Sequence, residues 1–361
     1  MLLPPADWRP DLPDYPGKGS ANIRNVMPRT AGSYGPFLGP NVYSNALSQR
    51  CQGAAAFIDK AGNVNLFAGD ASDLYQLTSG SANWSKVSKS ASPYSAPADG
   101  EWNYTYFNGD VIATDFVDTP QYFTLGVSSA FADLPGTPPQ GRYIATLKNA
   151  FVMLANTQDG TNGALPQRCW WSAAGNAKTG GWPTPGGVTA ATLQSGAADL
   201  LGDAGWIMGL AADLTNADGA VFLERAVKRI VYAGPPAVFD FLPAENTRGC
   251  PAPNSLVTWG GMAFYLGQDG FCGFDGAMAL PIGLDWVDKF FWSDVDLNNL
   301  ARVVGTVDPV NRLIWWAYPG AGSQGGNPNR LLLYHPLLQK WTVCDITCET
   351  VCRMLSIGYT L

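Results

Sequence analysis

The sequence of 361 residues contains a single histidine, His335. That scarcity removes most nucleophile–base triads and His-rich metal sites, because both rely on imidazole as proton acceptor or ligand. Charge is also sparse: 14% of residues are charged, with 22 Lys+Arg against 29 Asp+Glu and a net charge of -7. Proteins that clamp nucleic acid draw affinity from basic groups that displace condensed counterions, so this balance argues against that class. It permits a wall past which a duplex slides, where basic patches would be a hindrance. No apolar run reaches the roughly 18 residues of a membrane helix, so no membrane span is expected. The opening MLLPPADWRP lacks the basic start and apolar stretch of a secretory signal. Seven cysteines, scattered and odd in number, make no disulfide framework and fit synthesis in a reducing cytoplasm. The sequons at Asn83-Trp84-Ser85 and Asn103-Tyr104-Thr105 are then without meaning, since they need secretion.

What is abundant is Gly (41), Pro (27) and Trp (13), a composition of tight turns and aromatic anchors that suits short strands. An internal unit of roughly 40 to 50 residues recurs, the period of propeller blades. Its clearest copy spans 303–344: VVGTVD, a turn at Pro309-Val310-Asn311, RLIWWAYPG, a Gly-rich loop, RLLLYHP and KWTVC. Residues 52–87 repeat the plan with GAAAFID, the turn Lys60-Ala61-Gly62-Asn63, VNLFAGD, DLYQLT and WSKV. A third copy begins at Ser255 with SLVTWGG, MAFYLGQDG and FCGFDG, for which WVDKFFW is expected to be the closing strand. Weaker copies occupy 101–134, 142–188 and 205–243, the first around Asn108-Gly109, a strong hairpin signal. The expected fold is all-β, a β-propeller of about six four-stranded blades over residues 50–361, because radial stacking buries both faces of such sheets.

Residues 1–49 are rich in Pro and Gly and read as an extended arm without paired strands, which either reaches over a neighbouring copy or wraps over its own propeller. Removal of residues 1–47 is expected to leave the propeller folded and to impair assembly. Residues 353–361 (RMLSIGYTL) read as a last strand that closes the ring against residues 51–57, so that its loss exposes a sheet edge.

No residue is singled out as catalytic, cofactor-binding or metal-binding. His335, before Pro336, reads as a turn position. Cys344, Cys348 and Cys352 are evenly spaced by four, which does not exclude a metal, but a fourth Cys or His and CxxC spacing are missing, so small-residue packing is the favoured reading. Asp59, Asp70, Asp110, Asp269, Asp275 and Asp308 fall in turns, which accounts for them without a glycosidase-type carboxylate pair. The loop Pro319-Gly320-Ala321-Gly322 lacks a phosphate-cradling ending. Trp170-Trp171 and Trp315-Trp316 invite a sugar-stacking reading, but adjacent strand residues face opposite sides and both sides of a blade are covered, so core packing is favoured.

Three stretches carry a resemblance: NIRNVMPRTAGSYGPF (22–37), GQDGFCGFDG with the following LPIGLDWVDKFFWSDVD (267–296), and VVGTVDPVNRLIWWAYPGAGSQGGNPNRLLLYHPLLQKWT (303–342). They resemble β-propeller virion proteins of tailed bacteriophages, the tail-nozzle or packaged-DNA-stabilisation proteins of short-tailed phages. The resemblance implies a structural protein without enzyme activity, located in the virion tail and assembled in the host cytoplasm. It further implies a homo-oligomeric ring, commonly a hexamer, below portal and adaptor proteins, passing double-stranded DNA, with tail fibre or needle contacts open. The competing readings are a carbohydrate-binding receptor-recognition propeller and, last, a propeller glycoside hydrolase.

Overall fold

The computed structural model describes residues 6–12, 19–78, 80–90, 94–183 and 190–355. Where turn residues tolerate positive φ, the chain reverses: Asn108 (φ 51°) and Gly109 (φ 92°), or Gly260 (φ 61°) and Gly261 (φ 77°), supply two-residue hairpins. A hairpin of β1 (Val26–Thr30) and β2 (Ser33–Pro36) comes first. Blade 1 follows as β3 (Ala54–Ile58), β4 (Val64–Gly69), β5 (Leu74–Thr78) and β6 (Ser85–Lys86). Blade 2 is β7 (Asn103–Phe107), β8 (Asp110–Thr114), β9 (Gln121–Thr124) and β10 (Ala132–Asp133). Blade 3 is β11 (Gln140–Leu147), β12 (Phe151–Asp159), β13 (Gly163–Trp171) and β14 (Gly196–Asp199), with a single turn of helix, α1 (Ala190–Leu193), before β14. Blade 4 is β15 (Ile207–Leu214), β16 (Ala217–Leu223), β17 (Val227–Gly234) and β18 (Val238–Glu245). Blade 5 is β19 (Val257–Trp259), β20 (Met262–Leu266), β21 (Phe271–Phe274) and β22 (Ala279–Pro281), followed by helix α2 (Asp288–Asp294). Blade 6 is β23 (Val304–Asp308), β24 (Leu313–Tyr318), β25 (Arg330–His335) and β26 (Lys340–Asp345). Each blade is one antiparallel sheet of four consecutive strands, the expected six-bladed propeller.

First strands of successive blades touch in order from β3 to β23, which places them around the axis. Second strands such as β4 and β8 are buried throughout, whereas outer strands β6 and β10 are exposed. A strand buried on both faces is the signature of sheets stacked on each side, and the apolar clusters show it. Phe67 of blade 1 packs with Val111 and Phe123 of blade 2, and Phe222 of blade 4 with Tyr265 and Phe274 of blade 5. Between blades 5 and 6, Phe271, Trp316 and Trp341 share one core, the two indoles stacked at 5.7 Å.

The seam between blades 6 and 1 is built differently. The facing surfaces belong to two separate clusters, and terminal segments fill the space between them. Met27 and Phe37 of the N-terminal hairpin, with Ile346, Cys348 and Val351 beyond β26, cover Leu313, Ala317, Leu331 and Leu333 of blade 6. Leu355 packs against Val64, Leu66 and Leu77 of blade 1.

The N-terminal segment is a strap. Trp8 is 1% exposed in the blade 5–6 core, donates from Nε1 to Ala21 O (3.1 Å) and meets Phe290 edge-on at 5.2 Å. The Asp11 carboxylate accepts from Lys289 N and Phe290 N, both at 2.8 Å, satisfying free amides in the first turn of α2. Asp7 pairs with the buried Lys340 at 2.7 Å, and Asn25 N donates to Val343 O of β26 at 2.9 Å. The chain then crosses through exposed Leu38, Val42 and Tyr43 to blade 1, where Asn45 N donates to Ala82 O (2.8 Å) and Trp84 Nε1 to Ser44 Oγ (3.1 Å).

Several expectations are corrected. The N-terminal stretch does contain a paired hairpin, and Pro28 and Pro36, which mark edge strands, obscured it in the sequence. Of the two readings of the arm, its described part follows the second and wraps over its own propeller, and the burial of Trp8 revises the expectation that a product without residues 1–47 stays folded. WVDKFFW is largely helical: Val287, Phe291 and Val295 recur at a spacing of four and are buried on one face, while three-residue β22 closes blade 5. The fourth strand of blade 3 lies beyond residue 188, at β14. Residues 353–355 are irregular and not a strand, yet Leu355 reaches the expected blade; residues 356–361 of that expected strand lie outside the described residues. No helix among the described residues is long and apolar enough to cross a membrane.

Candidate functional site

Two glycines let the backbone converge on the axis. Gly53, at φ 118°, leaves no room for a Cβ beside Trp102 O, and a Cβ on Gly69 would collide with the Trp102 indole. That indole donates to Asp70 O at 2.9 Å, tying blade 2 to blade 1 and setting Glu101 at the axis. Here lies a cavity of about 190 Å³ to which all six blades contribute, through residues such as Ala54, Asn103, Tyr143, Gly209, Asn254 and Val304. Thr350 and Val351 of the C-terminal segment complete the wall. A second cavity of about 600 Å³ is lined by residues 54–57, 104–106, 305 and 306 and by Val351, Cys352, Arg353 and Leu355. The segment after β26 therefore lines both axial cavities.

Glu101 dominates the first cavity electrostatically. Its side chain is 10% exposed, its carboxylate accepts no hydrogen bond among the described residues, and Arg50 Nη1 stands 4.0 Å away. Burial pushes its carboxyl up to about 7, with Arg50 and Arg302 opposing the shift. Both guanidinium groups also have other partners, although Arg302 Nε is buried without one among the described residues. Arg50 donates to Ala98 O (2.8 Å), and Arg302 to Gly325 O and Asn327 Oδ1 (both 3.0 Å) and pairs with Asp99 at 3.5 Å. The thiols nearby, Cys51 and Cys352, are pushed up by burial to about 12 and about 11, so they are protonated at neutral pH.

The residues singled out from the sequence lie elsewhere. His335 Nδ1 accepts from Leu338 N (3.2 Å) in the β25–β26 turn, and burial lowers its pKa. Cys344 and Cys348 pack in the blade 6 seam, Cys352 lines the larger cavity, and no group of three metal-ligating side chains occurs among the described residues. Asp59, Asp70, Asp275 and Asp308 each accept from backbone amides two to four residues ahead, which is turn chemistry. Asp110 differs: it accepts from Thr124 Oγ1 and pairs with Lys178 at 2.9 Å. Asp269 lies in an exposed bend, and Pro319-Gly320-Ala321-Gly322 belongs to the β24–β25 loop. Trp170 and Trp171 enter cores on opposite faces of blade 3, Trp316 is fully buried, and Trp315 meets Phe37 edge-on at 5.9 Å. Glu101, Asn103 and Asn254 carry no sequence signal that marks an axial position.

Among the described residues three carboxyls shift upward, mainly through burial: Glu101 to about 7, Asp288 to about 7 beside Asp11, Asp269 and Asp285, and Asp115 to about 6 beside Asp118. The folded chain retains these protons where the unfolded chain has released them, so stability falls as pH rises from about 4 to about 7. Asp59, Asp159, Asp199 and Asp218 are lowered, which removes stability at more acidic pH. Thermal melting is therefore expected at a higher temperature at pH 5.5 than at pH 8, and Asp288→Asn should flatten that slope. A midpoint that rises steadily to pH 8 would contradict this.

No protein-family model matches the chain, and no curated protein matches it by sequence. Solved structures do match. A catalytically inactive virginiamycin B lyase from Staphylococcus aureus with quinupristin is similar at 12% identity and TM-score 0.44, over 80% of this chain and 83% of that one. YCF48 bound to D1 peptide is similar at 12% identity and TM-score 0.44, over 85% and 86%. The extracellular domain of a hybrid two-component system from B. thetaiotaomicron is similar at 13% identity and TM-score 0.39, over 78% of this chain and 38% of that one. Likeness at such identities concerns fold alone. From the order of its own sheets, the chain is a six-bladed β-propeller.

Proposed function

We propose that the chain is a non-enzymatic structural subunit of a tailed-bacteriophage virion, a tail nozzle whose copies form a ring around a passage for double-stranded DNA. One observation carries the reading. The three stretches that resemble nozzle and DNA-stabilisation proteins, distant in sequence, form one packed block: the β1–β2 hairpin covers one face of blade 6, and blade 5 with α2 covers the other. A shared block is what a common structural unit requires, and its chemistry is packing and strand geometry.

The axis of a single propeller is too narrow for a duplex, whose major groove alone is about 12 Å wide, whereas the axial cavity holds about 190 Å³ and is walled by the chain's own tail. In this reading DNA passes between copies. The partners are further copies, six in the expected ring, and portal or adaptor proteins, in the virion tail after assembly in the host cytoplasm. The net charge of -7 leaves few basic groups to hold the duplex.

Negative-stain microscopy of the purified protein, with light scattering for mass, tests the reading. Rings with an open centre are the expected result. Monomeric discs at every concentration would count against the nozzle, and discs that bind glycans would favour receptor recognition.

A further inference from the structure

The two ends of the propeller differ in character. Consecutive antiparallel strands alternate in direction, so in every blade the described segments joining first to second strand and third to fourth strand lie at one end. Those joining second to third strand, and blade to blade, lie at the other. Hydrogen bonds between blades fix the first set as one surface: Asn108 Nδ2 donates to Gly175 O (3.0 Å), Thr215 N to Gly261 O (2.8 Å) and Asn216 N to Asp275 O (3.0 Å). The second set holds thirteen acidic and five basic residues. The first holds two acidic and four basic residues, and two of its lysines are spent on strand carboxylates, Lys148 on Asp218 (2.8 Å) and Lys178 on Asp110 (2.9 Å). At this near-neutral end Ile58, Val127, Met278, Val310 and Leu337, from blades 1, 2, 5 and 6, are 51–81% exposed. Leu201 and Leu284 are exposed at the other end, but there they stand among carboxylates.

We propose that two copies of the chain dock through this near-neutral end, face to face about a twofold axis, with their acidic ends turned outward. Isologous contacts are the commonest between identical subunits, and this surface is complementary to itself: apolar tips meet apolar tips, and little net charge is buried. The acidic end is ill-suited to the same contact, because pairing it brings like charges together at a cost in repulsion and desolvation. Head-to-tail stacking sets the apolar tips on carboxylates that need water. The size is adequate. Two turns from each of six blades, at two or three residues apiece, supply about the 20–30 residues a side of a standard interface, and turns already pinned between blades lose little freedom on docking. The larger axial cavity lies at the centre of this end, beside Phe57 and Tyr106, whose rings stack at 6.4 Å, and a second copy covers it. The inference rests on the surface of one subunit and is independent of the virion reading.

The test is light scattering after gel filtration of the full chain over a concentration series. Val310→Asp combined with Leu337→Asp is expected to halve the particle mass, whereas Leu201→Asp combined with Leu284→Asp, at the acidic end, leaves it unchanged; circular dichroism checks that each variant is folded. A second measurement needs no variant. Amine-reactive cross-linking of mixed light and isotopically heavy protein should join Lys60, Lys148 or Lys178 of one copy to the same set in another, and not to Lys289 of the acidic end. Links between copies from this set to Lys289, a mass that grows without limit, an unchanged mass in the folded Val310→Asp, Leu337→Asp variant, or monomers throughout would each overturn the assignment. A ring that persists at unchanged mass in that variant overturns the face contact and leaves the virion reading standing.

Discussion

Trp8→Ala is expected to destabilise the propeller by about 3–5 kcal/mol, the range for truncating a fully buried tryptophan. Trp8 inserts between helix α2 and the blade 5–6 core, where Phe271, Phe291, Trp316 and Trp341 also meet, and no other described side chain of residues 6–12 is as deeply buried. Its neighbours act in the same direction: Asp11 terminates the free amides of α2, Asp7 neutralises the buried Lys340, and Arg9 lies over the Trp286 ring at 4.0 Å. Deleting residues 1–47 removes all of these together with the hairpin that covers Leu313, Ala317, Leu331 and Leu333. The deletion is expected to exceed the 5–15 kcal/mol that typical domains have in reserve, so the product should lack a cooperative thermal transition by circular dichroism. A deletion variant that melts cooperatively near the temperature of the full chain would show that the strap is an accessory.

Truncation after Asp345 is expected to have the second largest effect, and a different character. Ile346, Cys348, Val351 and Leu355 are each half-buried at the seam. At about half of the 1.5–3 kcal/mol for a fully buried aliphatic side chain, Ile346, Val351 and Leu355 contribute about 2–5 kcal/mol together. Their loss also leaves the seam faces of blades 1 and 6 open to water, and removes the hydrogen bond from Cys51 N to Glu349 Oε2 (2.8 Å) that ties the tail to blade 1. The truncated chain should keep most of its β signal but bind a hydrophobic dye and self-associate, because apolar sheet faces then lie exposed. Unchanged solubility and an unchanged melting temperature would mean that the blades close the ring unaided.

Both expectations concern features that local sequence signals report poorly. The blades were legible because each hairpin writes its own turn: Asn108-Gly109, Gly260-Gly261 and the Asp308-to-Asn311 turn are set within a few residues. The paired tryptophans were legible for a similar reason, since strand alternation sends neighbours to opposite faces. WVDKFFW suggests a strand because a short apolar aromatic run fits strand and helix alike, and Asp11, far away in sequence, supplies the helix cap. The sequence leaves open whether the arm docks on its own propeller or on a neighbouring copy, because Pro and Gly describe its backbone and not its docking site, which is made by blades 5, 6 and 1. Glu101 was silent for the same cause: its environment arises from Gly53, Gly69, Arg50 and a tail some 250 residues later, and only ring closure brings them together.

Closure of the ring by its two terminal segments is the claim on which the rest depends, and hydrogen–deuterium exchange on the full chain and on the truncation after Asp345 tests it directly. Exchange should rise selectively in β3–β6 and β23–β26, the blades flanking the seam, while β11–β18 on the far side remain protected. Uniform exchange across all six blades, or no difference between the two chains, would contradict it.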